Sequence, residues 1–173
     1  MAAGKNFISS KFEEQGWISH DADKDVHYAI ELAKENILDE FQELAEKKGL
    51  VIQNSDGSLN RKELGKLLFS DAKLLKKQEN IVYPYVIQLT KDFIQQNKDR
   101  NIVLNVTLLY KTPELLSLCS KIVYVKAPLI KRIVRAKKRD HLSYYQILKR
   151  FYAQRNLYTN YKKTGIPIEI IKN

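Results

Sequence analysis

Gly4-Lys5, near the start of the chain, is the first place where residue types and spacing could do chemistry. A glycine and a lysine followed by a small polar residue and an apolar-periodic run match the closing half of a phosphate-binding loop, G-x-x-x-x-G-K-[ST]. In such a loop, backbone N–H groups and the N-terminus of the next helix surround a polyphosphate. The sequence begins three residues before Gly4, so the opening glycine and the strand leading into the loop are absent from it, and Asn6 stands where a magnesium-binding hydroxyl is usual. A Gly-Lys pair alone is often an incidental turn. The next group able to do chemistry is His20-Asp21-Ala22-Asp23, at the carboxyl end of a short strand expected over Trp17-Ile18-Ser19. Open parallel α/β sheets carry their chemistry outside the carboxyl ends of the strands. An acid just before a helix also commonly caps it, and Asp21 or Asp23 fits that plainer role.

A third feature is charge. Between Lys121 and Lys163 there are thirteen Lys and Arg against a single acid, Asp140, in a chain whose total formal charge is +10. Such asymmetry points to polyanions: nucleotide phosphates, a phosphorylated cofactor or RNA. A solvated basic face is the ordinary alternative. Three scattered histidines and one cysteine, Cys119, argue against a structural zinc site and against an internal disulfide. Neither a membrane-spanning apolar run nor a signal-peptide pattern is visible, so a cytoplasmic location is expected.

The elements that must position these groups follow from periodicity. A helix is expected from Asn6 to Gln15, ended by Gly16. Val26, Ala29, Ile30, Ala33, Ile37, Phe41 and Leu44 recur at three and four, predicting one long amphipathic helix closed by Gly49. Asn60 and Glu63 predict a capping box opening a helix through Phe69, and Arg61 sits in its first turn, where it could grip an anion. Ser70 is expected to cap the next helix, interrupted at Tyr83-Pro84-Tyr85 before a second stretch from Val86 to Gln96. Ile102–Val106, interrupted only by Asn105, and Ile122–Val125 are apolar runs of the kind found in strands covered by helices on both faces. Pro128 fits the first turn of a basic helix, Ser143 a cap for the last helix, and Ile168–Ile171 a final strand. Alternation of strands and helices predicts an α/β fold with a parallel sheet and right-handed crossovers. With no strand before Gly4, the central position of such a sheet would be empty.

In order along the chain, the local signatures resemble those of the dephospho-CoA kinase family. The stretches concerned are A-A-G-K at 2–5, D-A-D at 21–23, D-G-S-L-N-R-K-E-L at 56–64 and L-F-S-D at 68–71. Y-P-Y-V at 83–86, V-T-L-L at 106–109, V-Y-V-K-A-P at 123–128, K-R-D at 138–140, A-Q at 153–154 and I-I-K-N at 170–173 continue the series. The chain also departs from the family pattern. Ser or Thr becomes Asn6, His-Pro becomes Tyr83-Pro84, and D-x-P-L-L-x-E becomes Asn105, Thr107, Leu108, Leu109 and Lys111. The resemblance implies a P-loop kinase fold with helices on both faces of a parallel sheet, a helical substrate-binding insertion and a basic lid, the first strand being absent from this chain. It implies one domain, with a core at about 1–23, 100–128 and 164–173, a substrate region at about 24–99 and a lid with its following helix at about 129–163.

The implied reaction is ATP-dependent phosphorylation of the ribose 3′-hydroxyl of dephospho-CoA, with Mg2+ as cofactor. Ala2, Ala3, Gly4, Lys5, Asn6 and Phe7 would hold ATP, with Lys5 on the β- and γ-phosphates. Asp23 would accept the hydroxyl proton, supported by Asp21, and Asn6 and Asp21 would lie beside the metal. Arg139 and Arg135 would come from the lid, Arg61 and Tyr83 would contact dephospho-CoA, and Asn173 would lie near the adenine. Two other readings stay open: a non-catalytic nucleotide- or RNA-binding relative of the fold, and another nucleoside or nucleotide kinase.

Overall fold

Each apolar run read as a strand forms one, in a computed structural model that describes residues 1–173. The chain opens with α1 (Lys5–Glu13), β1 (Ile18–His20), α2 (Ala22–Leu32), α3 (Lys34–Lys47), α4 (Arg61–Phe69) and α5 (Ala72–Gln96). It continues with β2 (Ile102–Leu104), a 3-10 turn (Leu109–Lys111), α6 (Pro113–Leu116) and β3 (Ile122–Lys126). It closes with α7 (Leu129–Asp140), α8 (Tyr144–Ala153), α9 (Leu157–Lys162) and β4 (Ile168–Lys172). Two compact units result: Met1–His20 together with Asn97–Asn173, and Asp21–Gln96.

The sheet unit holds all four strands. β1 and β2 pair in parallel, with Ile18 opposite Ile102 and His20 opposite Leu104. β3 and β4 pair in parallel from Ile122 opposite Ile168 to Lys126 opposite Lys172. No ladder joins the two pairs. The parallel order is therefore broken between the two pairs. Every residue of β1 and β2 is half-buried. β2 also ends two residues earlier than its apolar run, although the Asn105 N–H still donates to the His20 carbonyl at 2.7 Å. Tyr161 on α9 secures the chain beyond it: its hydroxyl accepts from the Leu109 N–H at 2.9 Å and donates to the Thr107 carbonyl at 3.1 Å. Pro128 stands one position before α7 rather than inside its first turn. Ser143 and Gln146 form the capping box that opens α8.

The helical unit is closed by an apolar cluster that includes Ala33, Ile37, Phe41, Ala45, Ile52, Leu67, Val82 and Val86. The single long helix expected through this region is two, broken at Ala33. Periodicity does not reveal the break, because the backbone bonds Ala33 to Ala29 and Ile37 to Ala33 persist across it and the buried face runs on. The opposite correction applies to α5, which runs unbroken through Pro84. Val82 and Val86, buried on either side of Pro84, tie both halves to one core, and that packing outweighs the lost N–H bond. At the α4–α5 junction Ser70 ends α4, donating from Oγ to the Leu67 carbonyl at 2.6 Å. Asp71 makes the cap instead, accepting from the Lys73 N–H at 2.8 Å.

Candidate active site

In the sheet unit the loop before α1 is shaped by close approach. Gly4 lies at φ 98°, in the left-handed region, and its carbonyl accepts the Ile8 N–H at 3.1 Å to start the helix. A Cβ at Gly4 would fall 1.9 Å from Nδ2 of Asn173 and 3.5 Å from Nη1 of Arg135. Glycine is therefore required twice, by backbone angle and by space. Asn173, at the end of β4, donates from Nδ2 to the Ala3 carbonyl at 2.9 Å and accepts from Nη2 of Arg135 at 3.4 Å. Arg135 also reaches the Ala3 carbonyl with Nη1 at 3.5 Å. Ala3, Gly4, Arg135 and Asn173 are thus brought together, although they come from both ends of the sequence and from α7.

Lys5 is the first residue of α1 and Asn6 the second. Asn105, only 8% exposed just beyond β2, donates from Nδ2 to Oδ1 of Asn6 at 3.1 Å. One turn further along α1, Oγ of Ser9 meets Oγ of Ser19 on β1 at 2.5 Å and fixes helix to strand. Phe7 is 56% exposed, with the Lys11 ammonium 5.6 Å from its ring centre. The Met1 amine is pushed down to about 6, first by burial and then by the charges of Arg132, Arg139 and Lys5. Three cations therefore act on one point beside the loop, a field suited to an anion. Arg139 itself is turned onto its neighbour, with Nε 2.7 Å and Nη2 3.0 Å from the Asp140 carboxylate. That pairing pushes the arginine up and holds Asp140 below the usual carboxylate range.

Arg132 is not among the site residues expected from the sequence. Its Nε donates to the Met1 carbonyl at 2.9 Å, and its guanidinium stacks 4.5 Å from the Phe151 ring centre. The signal was present, since Arg132, Arg135 and Arg139 recur at three and four and share one face of α7.

The helical unit carries the acids. Asp21, directly after β1 in the chain, caps α2 by accepting the Asp23 N–H at 3.2 Å. The capping alternative thus describes Asp21, and Asp23 is exposed in the first helical turn. Arg61 opens α4, where Asn60 accepts the Glu63 N–H at 3.2 Å as the expected cap. The Arg61 guanidinium lies 2.8 Å from Nδ1 of His27, 3.1 Å from the His27 carbonyl and 2.5 Å from Glu31. His27 and Glu31 went unnoticed in the sequence because only the α2–α4 packing brings them to Arg61. Tyr83 is half-buried on α5. No group of three or more His, Cys, Asp and Glu side chains gathers as a metal set.

A family model described as dephospho-CoA kinase matches residues 1–169. The chain belongs to the dephospho-CoA kinase family. The Treponema pallidum dephospho-CoA kinase is 40% identical over 159 residues, covering 90% of this chain and 75% of that protein. The Treponema denticola dephospho-CoA kinase is 33% identical over 175 residues, covering 99% of this chain and 78% of that protein. Among solved structures, TT1252 from Thermus thermophilus superposes with a TM-score of 0.80 at 25% identity, over 100% of this chain and 84% of that one. A dephospho-CoA kinase from Campylobacter jejuni shares the fold, with a TM-score of 0.64 at 22% identity and the same two coverages, 100% and 84%. The α/β fold of the P-loop kinases is thereby established. No helix of the chain is long and apolar enough to cross a membrane.

Proposed function

We propose that this chain transfers the γ-phosphoryl group of ATP to the ribose 3′-hydroxyl of dephospho-CoA, completing coenzyme A. The observation that carries the assignment to specific residues is the Gly4 turn packed on Asn173 and Arg135 at the start of α1. Phosphoryl transfer asks mainly for positioning and charge neutralisation. A helix N-terminus opened by a left-handed glycine presents N–H groups to a phosphate, and Lys5 adds a charge for the β- and γ-phosphates. Ala2, Ala3 and Phe7 line the approach to the nucleotide, with Asn173 near the adenine. Arg135 and Arg139 come from the lid segment at 129–163, where they stabilise the charge on the transferring group. Arg139 must exchange its partner Asp140 for phosphate to do so.

In the helical unit, proposed as the substrate region, Asp23 accepts the 3′-hydroxyl proton while Asp21 holds the α2 N-terminus in place. Arg61 and Tyr83 contact dephospho-CoA. ATP normally carries Mg2+ on its phosphates, and Asn6 and Asp21 are the residues expected beside that ion. Asn6 suits it less well than a hydroxyl would, since its Oδ1 is a neutral carboxamide oxygen that already accepts from Asn105. A cytoplasmic location fits the substrates. No feature of the fold favours the nucleic-acid alternative.

Steady-state kinetics on variants test the assignment. Lys5→Ala is expected to lower kcat/KM by about a hundredfold or more, and Asp23→Asn to lower kcat by a similar factor. Unchanged kcat in Asp23→Asn would remove that residue from the reaction.

A further inference from the structure

The side chain after a P-loop lysine and an acid at the end of the neighbouring strand ordinarily ligate the nucleotide's magnesium, as hydroxyl and carboxylate. In this chain both places are taken by neutral carboxamides, Asn6 after Lys5 and Asn105 directly after β2. They are bonded to each other at 3.1 Å. Whichever way the two amides are turned, that bond occupies one N–H and one lone pair of a carbonyl oxygen. A magnesium ion needs near-octahedral oxygen ligation and draws most of its binding energy from charged oxygens. With that bond in place the pair can offer only neutral carboxamide oxygens, and Asn105, 8% exposed, is held in its present position by it.

Positive charge is supplied from elsewhere. Arg135 is held at the Ala3 carbonyl, Arg132 at the Met1 carbonyl, and Lys5 opens α1. All three come from the same unit as the amide pair. We propose that this chain binds ATP with little energetic coupling to magnesium, because the bonded pair Asn6 and Asn105 puts neutral carboxamides where a hydroxyl and a carboxylate would hold the metal, while Lys5, Arg132 and Arg135 neutralise the phosphates. The proposal rests on the ATP site assigned above. It concerns the affinity for the nucleotide, whose phosphates still chelate the ion in solution.

Coupling of this kind is reciprocal and is read directly as a ratio of affinities. ATP is titrated calorimetrically into the whole chain in excess EDTA and again in saturating magnesium. The two dissociation constants of the unaltered chain are expected to differ by less than about threefold. The double variant Asn6→Thr with Asn105→Asp restores a hydroxyl and a carboxylate, and its affinity is expected to rise about tenfold or more when magnesium is added. Asn6→Thr alone changes an exposed side chain and leaves buried Asn105 in place. It serves if the double variant does not fold, and an intermediate ratio is expected from it. A tightening of about tenfold or more by magnesium in the unaltered chain overturns the proposal, whether or not Asn6→Ala removes it. Absence of ATP binding in both buffers overturns the ATP assignment as well, and so separates the two failures.

Discussion

In the helical unit the buried residues form one apolar cluster around Ile37, Phe41, Ile52 and Leu67, whereas no residue of the four strands in the sheet unit is fully buried. The sheet unit buries its apolar residues off the strands, among them Leu115, Ala136 and Ile147, and adds polar ties: Asn105 to Asn6, Asn173 to Ala3, Tyr161 to Leu109 and Thr107, and Ser9 to Ser19. An apolar core is non-directional and serves only stability. Polar ties fix direction, and here two of them are made by Asn6 and Asn173, which belong to the proposed nucleotide site. Function and local stability are therefore coupled in one unit and separable in the other.

Substitutions can break this contrast at graded cost. Phe41→Ala, at a site with no exposed surface, should cost about 3–5 kcal/mol in urea unfolding, because both transfer and cavity terms apply. A loss well below that would show a core able to collapse around the gap. Gly4→Ala should act the other way round. It strains a φ of 98° and drives a methyl into Asn173, so kcat/KM should fall about a hundredfold. Its unfolding midpoint should move less than that of Phe41→Ala. Equal damage to both properties would mean that the loop is structural first.

Tyr161→Phe removes both partners of the chain beyond β2 and should cost about 1–3 kcal/mol. It also carries a pH signature. Burial pushes the Tyr161 hydroxyl up to about 12, from an ordinary value of 10.0. Between those values the unfolded chain releases the proton and the folded chain keeps it. Stability is thus intact below pH 10.0 and falls as pH rises toward 12. The phenylalanine variant should show a shallower decline over that range, and identical slopes would mean that Tyr161 is not buried as described. Smallest of all should be Lys121→Ala, which breaks the 2.7 Å pair with Glu169 between β3 and β4. Both side chains are about half exposed, so a change of about 0–1 kcal/mol is expected in the same unfolding experiment.

The contrast also explains what the sequence made legible. Helices with one apolar face announce themselves through spacing, and the strands through short runs of Ile and Val, so the α/β class and the order of elements were readable. Breaks and continuations were not. Ala33 interrupts a helix without disturbing its apolar stripe, and Pro84 fails to interrupt one because tertiary packing on Val82 and Val86 outweighs its local penalty. The candidate site shows the same limit. Gly4, Lys5, Asp21 and Asp23 were visible as motifs, since each belongs to a short local pattern. Asn105 facing Asn6, Arg132 beside the loop and the His27–Glu31 grip on Arg61 depend on contacts between distant segments, which spacing cannot express.

The central claim is the transfer itself. ATP labelled at its γ-phosphate is mixed with the chain in the presence and absence of dephospho-CoA, and the products are resolved by mass and by phosphorus NMR. Label is expected on the ribose 3′-oxygen of coenzyme A, with ATP consumption that depends on dephospho-CoA. ATP consumption indifferent to dephospho-CoA, or label appearing only as free phosphate, would contradict it.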